Sequence, residues 1–276
     1  MPLDANVLVA CAVGVGIGGV MGLTGAGGGV LAVPLLVYAL GMTIQSATPM
    51  GLMAVGLAAL LGAGMGLKQG EVRYKAAVLM GGIGLVASPI GFWAAMQTNP
   101  RVLNGLFALV LLWVAYNAFR HQPAQGPVEM DAPQATKKSN CPCIQNPETG
   151  KFIWTWPCAR ALACSGAVAG FMSGLLGVGG GFVLVPALQR FTNLSLQSVT
   201  VTSLGVIAIV STFGVLNGVT MGALDWRLGG FFSAGAMAGM LVGRQFSRRM
   251  PVVQLKWSFG LLCLLVAALM LGRAVP

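Results

Sequence analysis

The sequence predicts an all-α polytopic membrane protein with about ten transmembrane segments, arranged as two inverted repeats of five segments each. Three observations lead to this fold class: a strongly apolar composition, one pattern repeated at a constant spacing, and an odd number of apolar segments per repeat. Of the 276 residues, 56% are hydrophobic and only 8% are charged, whereas soluble domains carry about a quarter charged residues. A water-soluble fold could not bury this much apolar surface, so lipid is the expected solvent.

The internal repeat holds its register without gaps. The stretch "GGVMGLTGAGGGVLAVPLL" from Gly18 matches "GFMSGLLGVGGGFVLVPAL" from Gly170 at an offset of 152 residues. Between positions 14 and 91, 19 of the 78 aligned residues are identical at this offset. Two unrelated hydrophobic segments would not stay aligned over that length. The chain is therefore predicted to consist of a first transmembrane repeat (1–120), a linker (121–156) and a second transmembrane repeat (157–276).

Each repeat contains five apolar segments, most of which have the roughly 20 residues that a spanning helix needs. Those of the first repeat lie near 5–23, 28–40, 47–67, 76–97 and 101–119, and those of the second near 158–175, 180–190, 198–217, 228–247 and 252–272. The N-terminus lacks the basic region of a signal peptide and is counted as the first span. The second segment of each repeat is short, and the sequence leaves open whether it spans the bilayer or re-enters.

Basic residues favour one of these two topologies. If all ten segments cross and the N-terminus is outside, 13 of the 16 Lys and Arg residues lie in cytoplasmic connections, and only Arg101, Arg227 and Arg273 lie outside. If the short segments merely dip into the membrane, the better orientation gives a split of 10 to 6. The positive-inside rule favours the first arrangement. Five crossings per repeat invert the halves, so we expect both termini in the periplasm and the linker in the cytoplasm of an inner-membrane protein.

The net charge of +10 is explained by these juxtamembrane residues. It does not indicate a nucleic-acid partner, because the basic residues form no patch with interleaved aromatic side chains. Helix faces rich in small residues also allow a homodimer.

The glycines fall into two patterns. Triplets spaced by four, such as Gly14, Gly18 and Gly22, lie along one helix face and are typical of close helix packing. The boxes "GAGGG" and "GVGGG" differ, because consecutive glycines are a poor helix interior, at about 1 kcal/mol each relative to Ala. We interpret the boxes as unwound stretches whose N–H groups face an anion at a helix N-terminus; a tight turn is the alternative. The candidate glycines are Gly25, Gly27, Gly28, Gly29, Gly177, Gly179, Gly180 and Gly181.

The spans carry almost no ionisable side chains. All six acidic residues lie at segment ends or in the linker, and the one histidine, His121, is in the linker. Proton relays use carboxylates or His inside the bundle, so a relay is not expected. An anion would instead be held by glycine N–H groups and by neutral hydroxyls, although each hydroxyl could equally bond its own helix backbone. The candidate hydroxyls are Thr48, Thr200, Thr202 and Ser203.

The cysteines and the lone histidine argue against an enzyme. Cys141, Cys143 and Cys158 are expected to be reduced thiols of modest structural importance in a cytoplasmic linker. A metal site or a membrane sulfur relay is the alternative, with His121 or Cys164 as a further ligand. One linker histidine cannot complete a Ser–His–Asp set, and no P-loop follows either glycine box. Neither catalysis, nor ATP hydrolysis, nor a bound cofactor or metal is therefore expected.

In these residues the chain resembles the TauE/SafE family of sulfite exporters, also called the toluene-sulfonate uptake permease family. The resemblance rests on the paired boxes "GLTGAGGGVLAVPLL" and "GLLGVGGGFVLVPAL" and covers nearly the whole chain apart from the linker. It implies secondary transport of a small sulfur-containing anion, with export of sulfite or an organosulfonate as the first interpretation. Import of thiosulfate or sulfate is the second, because family members differ in substrate and direction. The halves differ around the hydroxyls, so Thr200, Thr202 and Ser203 are expected to matter more than Thr48.

Overall fold

The structure is a computed structural model that describes residues 2–25, 28–120, 143, 155–222, 224–247 and 260–269. Within these ranges the regular secondary structure is helical, apart from an isolated bridge between Cys143 and Thr192, and the prediction of an all-α fold is confirmed. Gly27 and most of the linker lie outside the described residues. The helices are α1 (Pro2–Thr24), α2 (Gly29–Leu40), α3 (Ile44–Lys68), α4 (Tyr74–Gln97), α5 (Pro100–Arg120), α6 (Trp156–Leu176), α7 (Gly181–Phe191), α8 (Leu196–Thr220), α9 (Trp226–Ser247) and α10 (Gly260–Leu269).

The outer surface of the bundle is apolar. Five helices, α1, α3, α4, α6 and α8, are long and apolar enough to cross a membrane by length and composition. Large side chains such as Leu8, Val86 and Trp93 are more than half exposed. Soluble monomers rarely expose contiguous apolar surface of this kind, and the exterior therefore fits a lipid environment. The short α2 and α7 have 12 and 11 residues, as the sequence predicted.

The glycine triplets allow two pairs of helices to touch along their backbones. In each pair the residue numbers rise together, so the paired helices run parallel. The contacts between α1 and α9 are Gly14 with Phe232, Gly18 with Ala236 and Gly22 with Met240. Those between α6 and α4 are Gly166 with Met80, Gly170 with Gly84 and Gly174 with Ser88. The 152-residue offset of the sequence repeat relates the second set of contacts to the first, and the packing interpretation is confirmed for these two triplets.

The remaining long helices extend this arrangement around the centre of the bundle. Helix α3 runs parallel to α9 and antiparallel to α8, while α8 runs parallel to α4. Helices α1, α3 and α9 therefore point one way, and α4, α6 and α8 point the other. The contacts that establish these directions are Met53 with Gly229, Gly62 with Met240, Gly66 with Val201, Pro49 with Gly218, Ala77 with Gly205 and Gly81 with Ile209.

The short helices begin inside the bundle. Gly28, just before α2, lies against Ile17 and Met21 of α1, one to two turns before α1 ends at Thr24. From there α2 runs antiparallel to α3, because Gly29 contacts Val55 and Val33 contacts Gly51, and α2 is therefore also antiparallel to α1. In the second half Gly180, just before α7, lies in the same way against Ala169 of α6. The chain between the long and the short helix thus turns back into the protein interior.

A disulfide joins Cys143 of the linker to Cys158 in the first turn of α6. Both cysteines are fully buried, and the N–H of Cys143 donates to the carbonyl of Phe191 at the end of α7, at 3.2 Å. The expectation of reduced thiols is therefore wrong for this pair, and a metal site that uses both as thiolates is excluded. The sequence could not reveal the bond, because the polar stretch between the cysteines has no periodicity that places residue 143 against α7.

Candidate functional site

The first glycine of each box ends a long helix. Gly25 and Gly177 have φ angles of +86° and +70°, and their N–H groups donate to the carbonyls of Met21 and Ser173, both at 2.8 Å. A left-handed residue after the last helical turn is a common C-cap, and glycine adopts it without the penalty of a Cβ. These two glycines stop α1 and α6 and direct the chain inward.

The same two glycines contact a threonine of the opposite half. A Cβ built on Gly25 would meet the side chain of Thr200, and one built on Gly177 would meet that of Thr48. The hydroxyl oxygens of the two threonines would then lie 3.0 and 2.8 Å away, respectively. Four of the predicted site residues are thus brought together in two equivalent pairs across the interface between the halves.

Gly28 and Gly180 allow the loops to pack on helix backbone. A Cβ on Gly28 would lie 2.6 Å from the nitrogen of Met21, and one on Gly180 would lie 2.5 Å from the carbonyl oxygen of Ala169. Neither position has room for a side chain. Both residues are also the N-caps of the short helices, and neither supplies a side-chain capping bond. The first N–H groups of α2 and α7 consequently have no side-chain acceptor at the cap.

The two boxes meet at the centre of the bundle. Gly29, the first residue of α2, would carry a Cβ 2.9 Å from the carbonyl oxygen of Val178 and 3.1 Å from Val55. A Cβ on Gly179 would lie 3.2 Å from Ile207 and 3.4 Å from Val55. We call this region the box junction, and define it as the buried residues Gly29, Val55, Val178, Gly179, Ile207 and Ser211.

The box junction offers backbone N–H groups at helix N-termini but carries no formal charge. Gly29 opens α2 and Gly181 opens α7, so the N-terminal ends of two helices adjoin the junction. A helix N-terminus carries roughly half a positive charge and exposes N–H groups without intrahelical acceptors. The junction's side chains are aliphatic except for the hydroxyl of Ser211. Such a site is suited to a small anion, because N–H groups in apolar surroundings form stronger hydrogen bonds than they do in water.

Two of the predicted hydroxyls have backbone partners. The Oγ1 of Thr202 accepts a hydrogen bond from the N–H of Arg73 at 3.1 Å, and the Ser203 hydroxyl donates to the carbonyl of Thr200 at 2.8 Å. Both residues are fully buried. The first bond holds the chain before α4 against the first turns of α8. The second lies within α8, and it is the bond to the residue's own helix backbone that the sequence left open as an alternative.

Ser211 of α8 belongs to the box junction although the sequence analysis did not select it. The residue is 1% exposed, and its Oγ has no hydrogen-bond partner in the described part of the chain. One signal in the sequence could have found it. Ser211 is a hydroxyl in the middle of an apolar span, and its mate at the 152-residue offset is Ala59.

Comparison with known proteins places these features in a family. Residues 10–270 match the profile of the family described as "Sulfite exporter TauE/SafE". The chain is 27% identical over 266 residues to a "Probable membrane transporter protein" of Xylella fastidiosa strain 9a5c, covering 94% of this chain and 92% of that one. It is 22% identical over 240 residues to the "Probable membrane transporter protein YunE" of Bacillus subtilis strain 168, covering 84% and 85%. No solved structure matches at a significant level.

The matched region runs from the first turns of α1 through α10 and contains both glycine boxes, so it includes the whole box junction. An apolar exterior, five helices able to span a membrane and two relatives named as membrane transporters agree with one another. The chain belongs to the TauE/SafE sulfite exporter family of membrane transporters.

Proposed function

We propose that the protein is a secondary transporter that exports sulfite or a small organosulfonate across the inner membrane. The observation that carries the proposal is the box junction, where two half-length helices begin beside a buried, uncharged cluster. A sulfur oxyanion crossing the bilayer needs hydrogen-bond donors to replace its hydration, and backbone N–H groups at helix N-termini supply them. The family description names sulfite, and we therefore propose a sulfur anion as the substrate.

The proposed transporter crosses the membrane ten times as two inverted repeats. The helix directions support this arrangement, because α1 and α3 point one way and their repeat mates α6 and α8 point the other. Helices α1 and α3 are parallel, so the chain has to return between them, and the loop after Gly25 together with α2 makes that return. Inverted repeats with broken helices and a central substrate site recur among secondary transporters.

The charge distribution supports an orientation. Arg244 at the end of α9 donates to Gln69 at 2.8 Å, and Gln197 at the start of α8 donates to Glu71 at 2.7 Å. Among the described residues, one end of the bundle holds Lys68, Arg73, Lys75, Arg160, Arg190 and Arg244, while Arg101 and Arg227 lie at the other end. The positive-inside rule makes the basic end cytoplasmic. Both termini are then periplasmic, and the linker (121–156) is cytoplasmic.

The disulfide, in contrast, would favour placing the linker on the periplasmic side of the membrane. Disulfides persist mainly in oxidising compartments, whereas the charge distribution favours a cytoplasmic linker. Thiol exchange requires access to the sulfur atoms, and full burial of Cys143 and Cys158 restricts that access. We therefore retain the cytoplasmic linker in the proposal. Reporter fusions at residue 135 and at the C-terminus test it, and a C-terminal fusion that is active only in the cytoplasm would overturn the ten-crossing topology.

Export in this proposal is driven by the membrane potential. The two acidic residues that the structure describes in full, Glu71 and Asp225, lie outside the long helices, and neither can serve as a proton relay within a span. An inside-negative potential of 100 mV is worth about 2.3 kcal/mol for each negative charge that leaves. A dianion would gain roughly 4.6 kcal/mol, which sustains more than a thousandfold gradient at about 1.4 kcal/mol per decade.

Flux of labelled sulfite in proteoliposomes tests the proposal. We expect the flux to increase with an imposed potential and to respond little to a pH step at zero potential. A flux that follows the pH step and ignores the potential would contradict uncoupled export. Competition by thiosulfate, sulfate and a small sulfonate then ranks the substrates. Inward transport of thiosulfate or sulfate, with sulfite a poor competitor, would favour import instead.

A further inference from the structure

We propose that Ser211 is a substrate-binding residue whose hydroxyl donates a hydrogen bond to the anion at the box junction. This inference rests on the proposed function and assigns part of it to one side chain.

Ser211 lies where three elements meet. It projects from α8 toward Gly56 of α3, where a Cβ would lie 2.8 Å from the Cβ of Ser211 and 3.5 Å from its Oγ. A Cβ on Gly179 of the second box would lie 3.8 Å from the same Oγ. Since neither glycine has a side chain, the hydroxyl faces bare backbone on both sides. It is thus within reach of a ligand held by the second box.

The hydroxyl of Ser211 lacks the local bond that serines in helices usually form. The usual acceptor is the carbonyl four residues earlier. Ser165 of α6 and Thr212 of α8 make that bond, at 2.7 and 3.1 Å, whereas the Oγ of Ser211 has no partner among the described residues. A buried hydroxyl without a partner lowers stability. A bound oxyanion would accept the missing hydrogen bond.

Ser211 also makes the proposed site asymmetric, because only the second half supplies a side-chain hydrogen-bond donor to the box junction. Its repeat mate is Ala59, which has no hydrogen-bond donor in its side chain. Both helix N-termini offer backbone N–H groups, while a hydroxyl on one side gives the anion a preferred orientation. Oxyanions such as sulfite offer several acceptor oxygens, so one of them can accept from Ser211 while others face the backbone N–H groups.

The matched control is Ser233 of α9. It is also buried, and its hydroxyl is also unpartnered in the described part of the chain. It follows Phe232, which packs on Gly14 at the interface between α1 and α9, and it is not part of the box junction. Ser211→Ala and Ser233→Ala therefore remove the same group from similar burial, at the proposed site and away from it.

The test compares sulfite flux and thermal unfolding of the purified, reconstituted protein for both variants. We expect Ser211→Ala to raise the KM or Kd for sulfite about tenfold, while the unfolding temperature is unchanged or higher because an unsatisfied hydroxyl has been removed. Ser211→Cys, which retains a weak donor of similar size, should fall between it and the wild type. Ser233→Ala should leave the KM unchanged.

Two results would overturn the assignment. One is wild-type KM in Ser211→Ala, and the other is a loss of flux that accompanies a lower unfolding temperature, which would indicate a structural role. Failure of the proposed function gives a different pattern. In that case the wild-type protein itself neither binds nor moves sulfite, thiosulfate or a sulfonate, and the assignment of Ser211 to anion binding fails with it.

Discussion

The two glycine boxes share a sequence pattern but differ in backbone conformation. In the second box Gly177, Gly179 and Gly180 all have left-handed φ angles. Among the described residues of the first box only Gly25 does, and Gly28 is right-handed at φ −59°. Both boxes nevertheless end a long helix and begin a short one. The comparison shows that both loops connect a long helix to a short one, but that the two halves use different φ angles to do so.

The halves differ even more in their polar chemistry. The second half contributes Thr202, Ser203 and Ser211, whose mates at the 152-residue offset are Met50, Gly51 and Ala59. It is also attached to the linker through Cys143 and Cys158. Glycine packing is therefore symmetric, whereas these three buried hydroxyls and the covalent restraint belong to the second half. Four sets of substitutions test how much of the behaviour of the protein follows from this asymmetry.

The largest effect is expected from a methyl group at the N-cap of α7. Gly180→Ala forces a left-handed Ala and places its Cβ 2.5 Å from the carbonyl oxygen of Ala169. Overpacking of about 1–3 kcal/mol and left-handed strain of about 1–2 kcal/mol predict a loss of roughly 2–5 kcal/mol. Gly28→Ala escapes the strain and should lose only the overpacking component. Thermal unfolding in detergent measures both.

Gly16→Ala on α1 is the control for these variants, because a Cβ there has open space around it. It should raise helix stability slightly, by up to about 1 kcal/mol. Equal losses of unfolding free energy for Gly28→Ala and Gly180→Ala would show that the difference in φ angles between the boxes does not affect stability.

Loss of the disulfide should come next. Cys158→Ser opens a crosslink between residues separated by 15 positions, which corresponds to about 3 kcal/mol in the chain-entropy account. We expect a lower unfolding temperature with sulfite flux largely retained, because the bond lies at the end of α7 far from its glycine box. Cys164→Ser, an exposed free thiol, is the control. If Cys158→Ser lost sulfite flux at an unchanged unfolding temperature, the cysteines would have a sulfur-relay role and not a structural one.

A smaller effect is expected from the buried hydroxyl of Thr202. Thr202→Val leaves the N–H of Arg73 without its acceptor, and an orphaned buried N–H costs about 1–3 kcal/mol. Thr212→Val removes a hydroxyl that bonds only its own helix, at Ala208, and should change the unfolding temperature little. Comparable unfolding temperatures for the two variants would mean that the bond between Arg73 and Thr202 does not stabilise the contact between the halves.

The smallest effect concerns the two threonines at the interface between the halves. Thr48→Val and Thr200→Val keep a methyl group against Gly177 and Gly25 but remove the hydroxyl. If the second half supplies more of the anion contacts, Thr200→Val should raise the KM for sulfite about threefold, equivalent to roughly 0.6 kcal/mol, and Thr48→Val should raise it less. Equal KM values would indicate that these two positions are functionally symmetric.

The glycines show which structural roles can be predicted from the sequence and which cannot. The 152-residue offset and the spacing of four predicted which glycines pack between helices, and contacts such as Gly18 with Ala236 confirm it. The same reasoning treated all box glycines as one group of anion-facing residues. The structure separates them into helix caps (Gly25, Gly177), packing positions (Gly28, Gly180) and the junction itself (Gly29, Gly179). A methyl group at Gly28 or Gly180 would therefore clash with helix backbone.

What the sequence alone determined was the membrane environment, the helical repeat and the short second helix of each half. These follow from local properties, because hydropathy, segment length and residue spacing act along the chain. Tertiary structure alone decided that Thr200 faces Gly25, that Cys143 pairs with Cys158 and that Ser211 is buried with no partner among the residues that the structure describes. Each of these depends on which helices become neighbours. A hydroxyl acquires or loses its partner only when segments far apart in the chain pack together, and no local pattern records that.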